Sequence, residues 1–417
     1  MTSPTFNQEI REKVFAKVVE TVSEKLYDPA LNGVDWSRLS AERRNDILSS
    51  KTTADFERGM NELIRELHVS HAGFFHENQP RATAKVSIGA TFHRDAERWV
   101  FQDVHAGGPA HAAGLKPGDT LLAVADKEAV PPAIPSFAMG ESIAVEVERA
   151  NGHRERVQIC IPVAKDKKHP VVNLDPPSWK RLADGTGYLK IALFPGIVGI
   201  DVARDIDHAI RDLACERFII DLRGNAGGGM GSLRAMSCLT PDRRPVGYSV
   251  TRKDLDRPDF SKHRLPTFER IPSLKIGLLP LLLRFAIRGR SVAVFTERKG
   301  PQRFHGRVAL LVNEHTASSS EMVAAFASEY RLATVVGSRT AGRLLGSDSF
   351  RVGNGYRLAL PVVEYRTWQD TRLEGQGVEP DIEVPFSMEA CREGVDVQLN
   401  RAIAALSDGT SQRTATG

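Results

Sequence analysis

The sequence has no CxxC pair, and its four cysteines, Cys160, Cys215, Cys238 and Cys391, are widely scattered. That spacing argues against a zinc ribbon or a disulfide framework and predicts reduced, buried thiols. Long apolar runs are missing as well. The longest, "IGLLPLLLRFAI" (276–287), is interrupted by Pro280 and Arg284, whereas a spanning helix needs about 20 apolar residues. The N-terminus turns amphipathic within a few residues and carries no signal-type apolar core, so a cytoplasmic location is expected, without stable membrane insertion. Charge of one sign is also lacking. The 56 basic and 52 acidic residues leave a formal +4, too near balance for a nucleic-acid binder, and the basic stretch from Arg284 to Arg307 reads as a solvated face. There is no HExxH, and no GKS or GKT follows the glycine-rich segment, so neither a metal nor a phosphate-bearing cofactor is expected.

What is present reads as several domains, because 417 residues are too many for one ordinary core. Residues 1–80 read as a small helical domain, with helical periods over 7–29 and 53–67 separated by the turn-rich "YDPALNGVDW". From 84 to 163 the texture changes to short strands, "AKVSIGATF", "RWVFQDV", "TLLAVAD", "SIAVEVER" and "RVQICIPV". A short Ala-rich helix ends there at Gly114. A Lys/Pro-rich linker covers 164–178. Over 179–405, buried strands such as "GYLKIALF", "RFIIDLR", "RVALLVNE" and "ATVVGSR" alternate with amphipathic stretches. That alternation implies an α/β core with a mixed, partly parallel sheet. Residues 406–417 read as a disordered tail.

Four stretches can carry chemistry. In "NEHTASSSEMVAAF" (313–326), Ser318 and Glu321 have the spacing of a capping box at the start of a helix. A hydrolase could place a nucleophile at the same spot, beside unpaired backbone amides. In "IIDLRGNAGGGMGS" (219–232), a buried strand ends in a glycine turn, where Gly227 or Gly228 could donate an amide to an oxyanion. In "ELHVSHAGFF", His68, His71 and the nearby His76 crowd a helix end, and histidine can act as a base near neutral pH. In "TRLEGQGVEPDIEV", Glu374 precedes a glycine turn, a useful place only if a histidine needs orienting.

Taken in order, these pieces resemble the C-terminal processing (tail-specific) and tricorn-core serine peptidase family. The block "GGPAHAAGLKPGDTLLAVADKEA" looks like its PDZ domain, with Ile88, Gly89, Ala90, Thr91 and Phe92 where the peptide-carboxylate loop would be. The resemblance implies Ser318 as nucleophile and the amides of Ser319 and of Gly227 or Gly228 as the oxyanion hole. The tail-specific branch uses a lysine 25 residues after the serine, and Arg343 stands there; no lysine occurs in 300–417. Arginine stays protonated and cannot be the base. The tricorn-like branch instead implies Ser70 and His71, with Glu374 orienting the histidine. The expected function is therefore a serine endopeptidase acting on unstructured or C-terminal peptide segments, with peptide or unfolded protein as partner. The competing readings are an inactive peptide or hydrophobic-ligand binder on the same fold and a non-peptide acyl hydrolase. Homo-oligomerisation is left open, and the apolar insert 276–287 is expected to be a lid or a contact surface.

Overall fold

The computed structural model describes residues 8–78, 81–164, 171–172, 174–196, 199–272, 291–298, 304 and 306–408. The apolar insert 276–287 and most of the basic stretch 284–307 lie outside them.

The central sheet has six strands in the order Ser178–Arg181, Gly187–Lys190, Arg217–Asp221, Arg307–Val312, Thr334–Gly337 and Ile382–Glu383. Only the first pair is antiparallel; the other four pairings are parallel. Strands such as "RVALLV" are apolar almost throughout because helices cover both faces of such a sheet. Helices Ile200–Leu213, Ser232–Cys238 and Ser319–Glu329 pack with one side's core, and Val397–Asp408 adds Ala402 and Leu406 on the other. A parallel sheet presents the carboxyl ends of its strands together, so the loops after Asp221 and Val312 meet there.

A second sheet is built on the long strand Tyr356–Thr367. It pairs with Gly73–His76, Leu345–Gly353 and Pro245–Thr251, all antiparallel. The hairpin between Leu345–Gly353 and Tyr356–Thr367 turns at Asn354-Gly355, both at positive φ (52° and 79°), the pairing that suits a tight two-residue turn.

The N-terminal segment does not form a core of its own. Helices Gln8–Lys25, Trp36–Leu48 and Thr53–Arg65 share one apolar cluster with Leu345, Val352, Leu358 and Leu360 of this hairpin. Phe74 stacks on Tyr356 at 4.8 Å and meets Phe56 edge-on at 5.8 Å, fixing the chain just after His71. Helix Trp36–Leu48 is absent from the sequence reading because only Trp36, Ser40, Ile47 and Leu48 are buried, which dilutes its apolar period.

The third sheet is antiparallel, in the order Ala90–Asp95, Arg98–Val104, Thr120–Val124, Ser142–Glu148 and Arg154–Cys160. The short helix Pro109–Ala112 ends before Gly114. Three expectations change. The first half of "AKVSIGATF" is a helical turn, Ala84–Ser87, not a strand. The last helix runs to Asp408 with Leu406 buried, so the expected tail begins inside a helix. All four cysteines are free, but only Cys238 is buried and Cys160 is exposed.

Candidate active site

Ser318 sits where the strand Arg307–Val312 has turned into the helix Ser319–Glu329. Its backbone lies at φ 57°, ψ −127°, a region L-residues avoid and that occurs where surrounding contacts hold a sharp turn. Those contacts come from Glu321 and the loop 340–344. The Ser318 amide donates to Glu321 Oε2 and to the Arg343 carbonyl, both at 2.9 Å. Ser318 and Glu321 form a capping box at this helix start, in which the Glu321 carboxylate accepts the Ser318 amide. The residue is half-buried at the positive end of a helix dipole.

Glu321 is fully buried and gathers four donors. Thr340 Oγ1 (2.7 Å) and the Gly342 amide (2.8 Å) bond Oε1, while the amides of Ser318 and Arg343 (2.9 Å each) bond Oε2. Burial pushes its carboxyl pKa upward, against these four bonds.

A second carboxylate works in parallel. Glu374 Oε1 accepts the Ser70 amide (2.8 Å), and Oε2 accepts Ser70 Oγ (2.9 Å) and the Leu344 amide (2.7 Å). Ser70 Oγ also lies 2.8 Å from His71 Nδ1. A serine hydroxyl has one proton, and an ionised carboxylate can only accept. With that proton on Glu374, His71 must donate Nδ1–H to Ser70, which leaves the lone pair on Nε2. His71 itself is at φ 58°, where the chain leaves helix Thr53–Arg65 and swings into strand Gly73–His76. His71 is an exposed residue, yet the groups crowded around its ring, then the charge of Arg343, then that of Lys85 push its pKa down and keep the ring neutral at neutral pH. No hydrogen bond joins His71 Nε2 to Ser318 Oγ in this structure. His76 turns away from the site, against the Asn354 carbonyl at 3.2 Å and the Tyr356 ring.

The glycine loop differs between its two candidates. The Gly227 amide is taken by Asn225 Oδ1 at 2.7 Å, and Asn225 is itself fully buried. The Gly228 amide has no partner among the described residues, and neither does the Ser319 amide at the first turn of its helix. Both glycines need their identity. Gly227 is at φ 87° and a methyl there would lie 2.5 Å from Ser318 Cβ; Gly228 is at φ 126° and a methyl there would lie 2.0 Å from the Phe194 carbonyl oxygen.

The residues 88–92 are all buried. Gly89 faces Leu174, with 2.8 Å left for any added carbon, and the Phe92 carbonyl is held 3.0 Å from His315 Nε2. Thr91 bonds Asp103, which accepts from Asn313 Nδ2 at 3.0 Å, and His105 meets the Gly224 carbonyl at 3.2 Å. The third sheet is therefore docked on both loops of the site. Sequence reasoning missed Lys85, whose ammonium bonds the His315 carbonyl, three residues before Ser318. Lys85 lies far from the lysine-free window 300–417, in a segment whose pattern reads as strand.

Comparison with known proteins follows this geometry. The overall fold is that of solved C-terminal processing proteases. It overlays a "photosystem II D1 C-terminal processing protease" with TM-score 0.57 over 95% of this chain and 97% of that one, at 16% identity. It overlays "mature CPAF" with TM-score 0.62 over 97% and 98%, at 15% identity. Residues 185–384, just under half of the chain, match the model of peptidase family S41. A "carboxyl-terminal-processing protease" of Synechocystis is 24% identical over 73% of this chain and 64% of its own length. "Tricorn protease homolog 1" of Streptomyces coelicolor is 25% identical over 90% of this chain and 33% of its own. This chain thus covers less than two thirds of either relative.

Proposed function

We propose that this protein is a serine endopeptidase of the Ser–His type, acting on peptides or unfolded protein segments. The observation that carries the reading is the Glu374–Ser70–His71 chain of hydrogen bonds, which leaves Nε2 unprotonated while Arg343 occupies the position of a lysine base. In the mechanism, His71 Nε2 takes the Ser318 proton as Oγ attacks the peptide carbonyl. The oxyanion accepts from the amides of Ser319 and Gly228, each worth about 3 kcal/mol in the transition state. His71 then protonates the leaving amine, and water attacks the acyl-enzyme with His71 again as base. Glu374 offsets the imidazolium charge through Ser70.

The absence of a Ser318–His71 hydrogen bond in the structure favours the alternative, an inactive binder on the same fold. Such bonds are often long before substrate arrives. Labelling with a fluorophosphonate separates the two. Wild-type protein is expected to label at Ser318, and His71→Ala to label at least a hundredfold more slowly, about the scale of one general base. A folded wild type that resists labelling would sink the peptidase reading.

The pH dependence follows from the sign of the His71 shift. Only neutral His71 accepts the proton, and its pKa lies below the ordinary 6.5. The acid limb of kcat/KM should therefore fall below pH 6.5, with a flat profile through neutrality. An inflection at or above 6.5, read from initial rates on a quenched-fluorescence peptide, would contradict the assignment of the base.

A further inference from the structure

The cleft holds cationic charge that the mechanism does not use. The backbone of Arg343 brackets the nucleophile, its amide on Glu321 and its carbonyl on the Ser318 amide. Its guanidinium is exposed and has no ion pair among the described residues. Lys85 reaches the same place from the third sheet. Its ammonium is spent on one carbonyl, that of His315, and it too forms no ion pair with any described carboxylate. The nearby acids are already committed. Glu321 has four donors, Glu374 has three, and Asp103 is held by Thr91 and Asn313.

We propose that Arg343 and Lys85 form an anion-binding subsite beside Ser318 that receives a carboxylate of the bound peptide. The nearby carboxylates act on Lys85 only at a distance and are bonded elsewhere, and a guanidinium offers an arriving carboxylate two parallel donors. The Arg343 backbone brackets Ser318 and the Lys85 ammonium holds the His315 carbonyl of the same turn, so both cations border the nucleophile's loop, and both charges act on the His71 ring. Burial and Arg343 push Lys85 down to about 7, and an arriving carboxylate would hold it protonated. The carboxylate can come from a free chain terminus or from an Asp or Glu side chain. This inference rests on the peptide-binding reading of the same cleft but does not need turnover.

The test measures binding, so it survives failure of the hydrolase reading. The Ser318→Ala protein is titrated with fluorescent peptides of one sequence in four forms: terminal acid or amide, each with Glu or Gln near the scissile position. The expected result is that one carboxylate strengthens binding about 10- to 100-fold, the scale of a charge-assisted hydrogen-bond pair. Adding Arg343→Gln should abolish that preference and leave the uncharged peptide's affinity within about twofold, and Arg343→Lys should keep most of it. Amidation removing the effect would assign the terminus; Glu-to-Gln exchange removing it would assign the side chain. Equal affinity for all four peptides, or equal losses for charged and uncharged ones in Arg343→Gln, would overturn the subsite. Undetectable binding of every peptide would overturn it as well. If the subsite holds while fluorophosphonate labelling fails, the cleft is a carboxylate-reading binder and not a peptidase.

Discussion

Ser318→Ala should lower peptide turnover by about 10⁵- to 10⁶-fold, the scale seen when a serine nucleophile is removed, while leaving unfolding free energy within about 0.5 kcal/mol of wild type. The two halves of this expectation come from different atoms. Catalysis on the proposed mechanism needs Oγ, whereas the helix start is held by the Ser318 backbone, through Glu321 and the Arg343 carbonyl. A serine that served only as a cap would show the opposite pattern, losing about 1 kcal/mol with no effect on turnover. Kinetics and urea denaturation on the same preparation would distinguish them. A destabilised and still active variant would return Ser318 to a structural role.

Glu321→Gln should be strongly destabilising for so conservative a change. The carboxylate accepts two donors on each oxygen, and a carboxamide keeps only one accepting oxygen. Two buried donors would then face an NH₂ group. A loss of roughly 3 kcal/mol follows from leaving buried partners unmatched. Turnover should fall about 100-fold, because the turn at Ser318 and the loop bearing Arg343 are held through this one side chain. The urea midpoint should drop at an unchanged slope. An unchanged midpoint would mean that the four bonds contribute nothing net.

What was legible in the sequence was local. The Ser318–Glu321 spacing, the glycine turn after "IIDLR" and the "GVEPD" turn each advertise a backbone geometry within a few residues. Alternation of strands with helices was enough to expect a mixed, partly parallel sheet, and residues 185–384 match the peptidase family that the motif order resembled. The losses were non-local. Nothing near Glu321 announces Thr340, Gly342 and Arg343 as partners, nor does Asn225 announce that it engages Gly227 and leaves Gly228 free. The N-terminal helices looked self-sufficient because their apolar stripes are visible, while the hairpin residues that complete their core lie some 300 positions later. Lys85 was invisible for the same reason. Its role depends on which loop the third sheet is docked against.

The hydrogen bonds from Ser70 to Glu374 cross 304 residues of sequence. Contacts of that separation carry the largest loop-closure cost, so they are expected to form late, after the central sheet and the N-terminal helices have found their partners. Until they do, nothing fixes the His71 tautomer, and the histidine is an ordinary one. On the proposed mechanism, a half-made or misfolded copy of this chain would lack an oriented base and leave its neighbours intact, and turnover would itself certify that folding is complete.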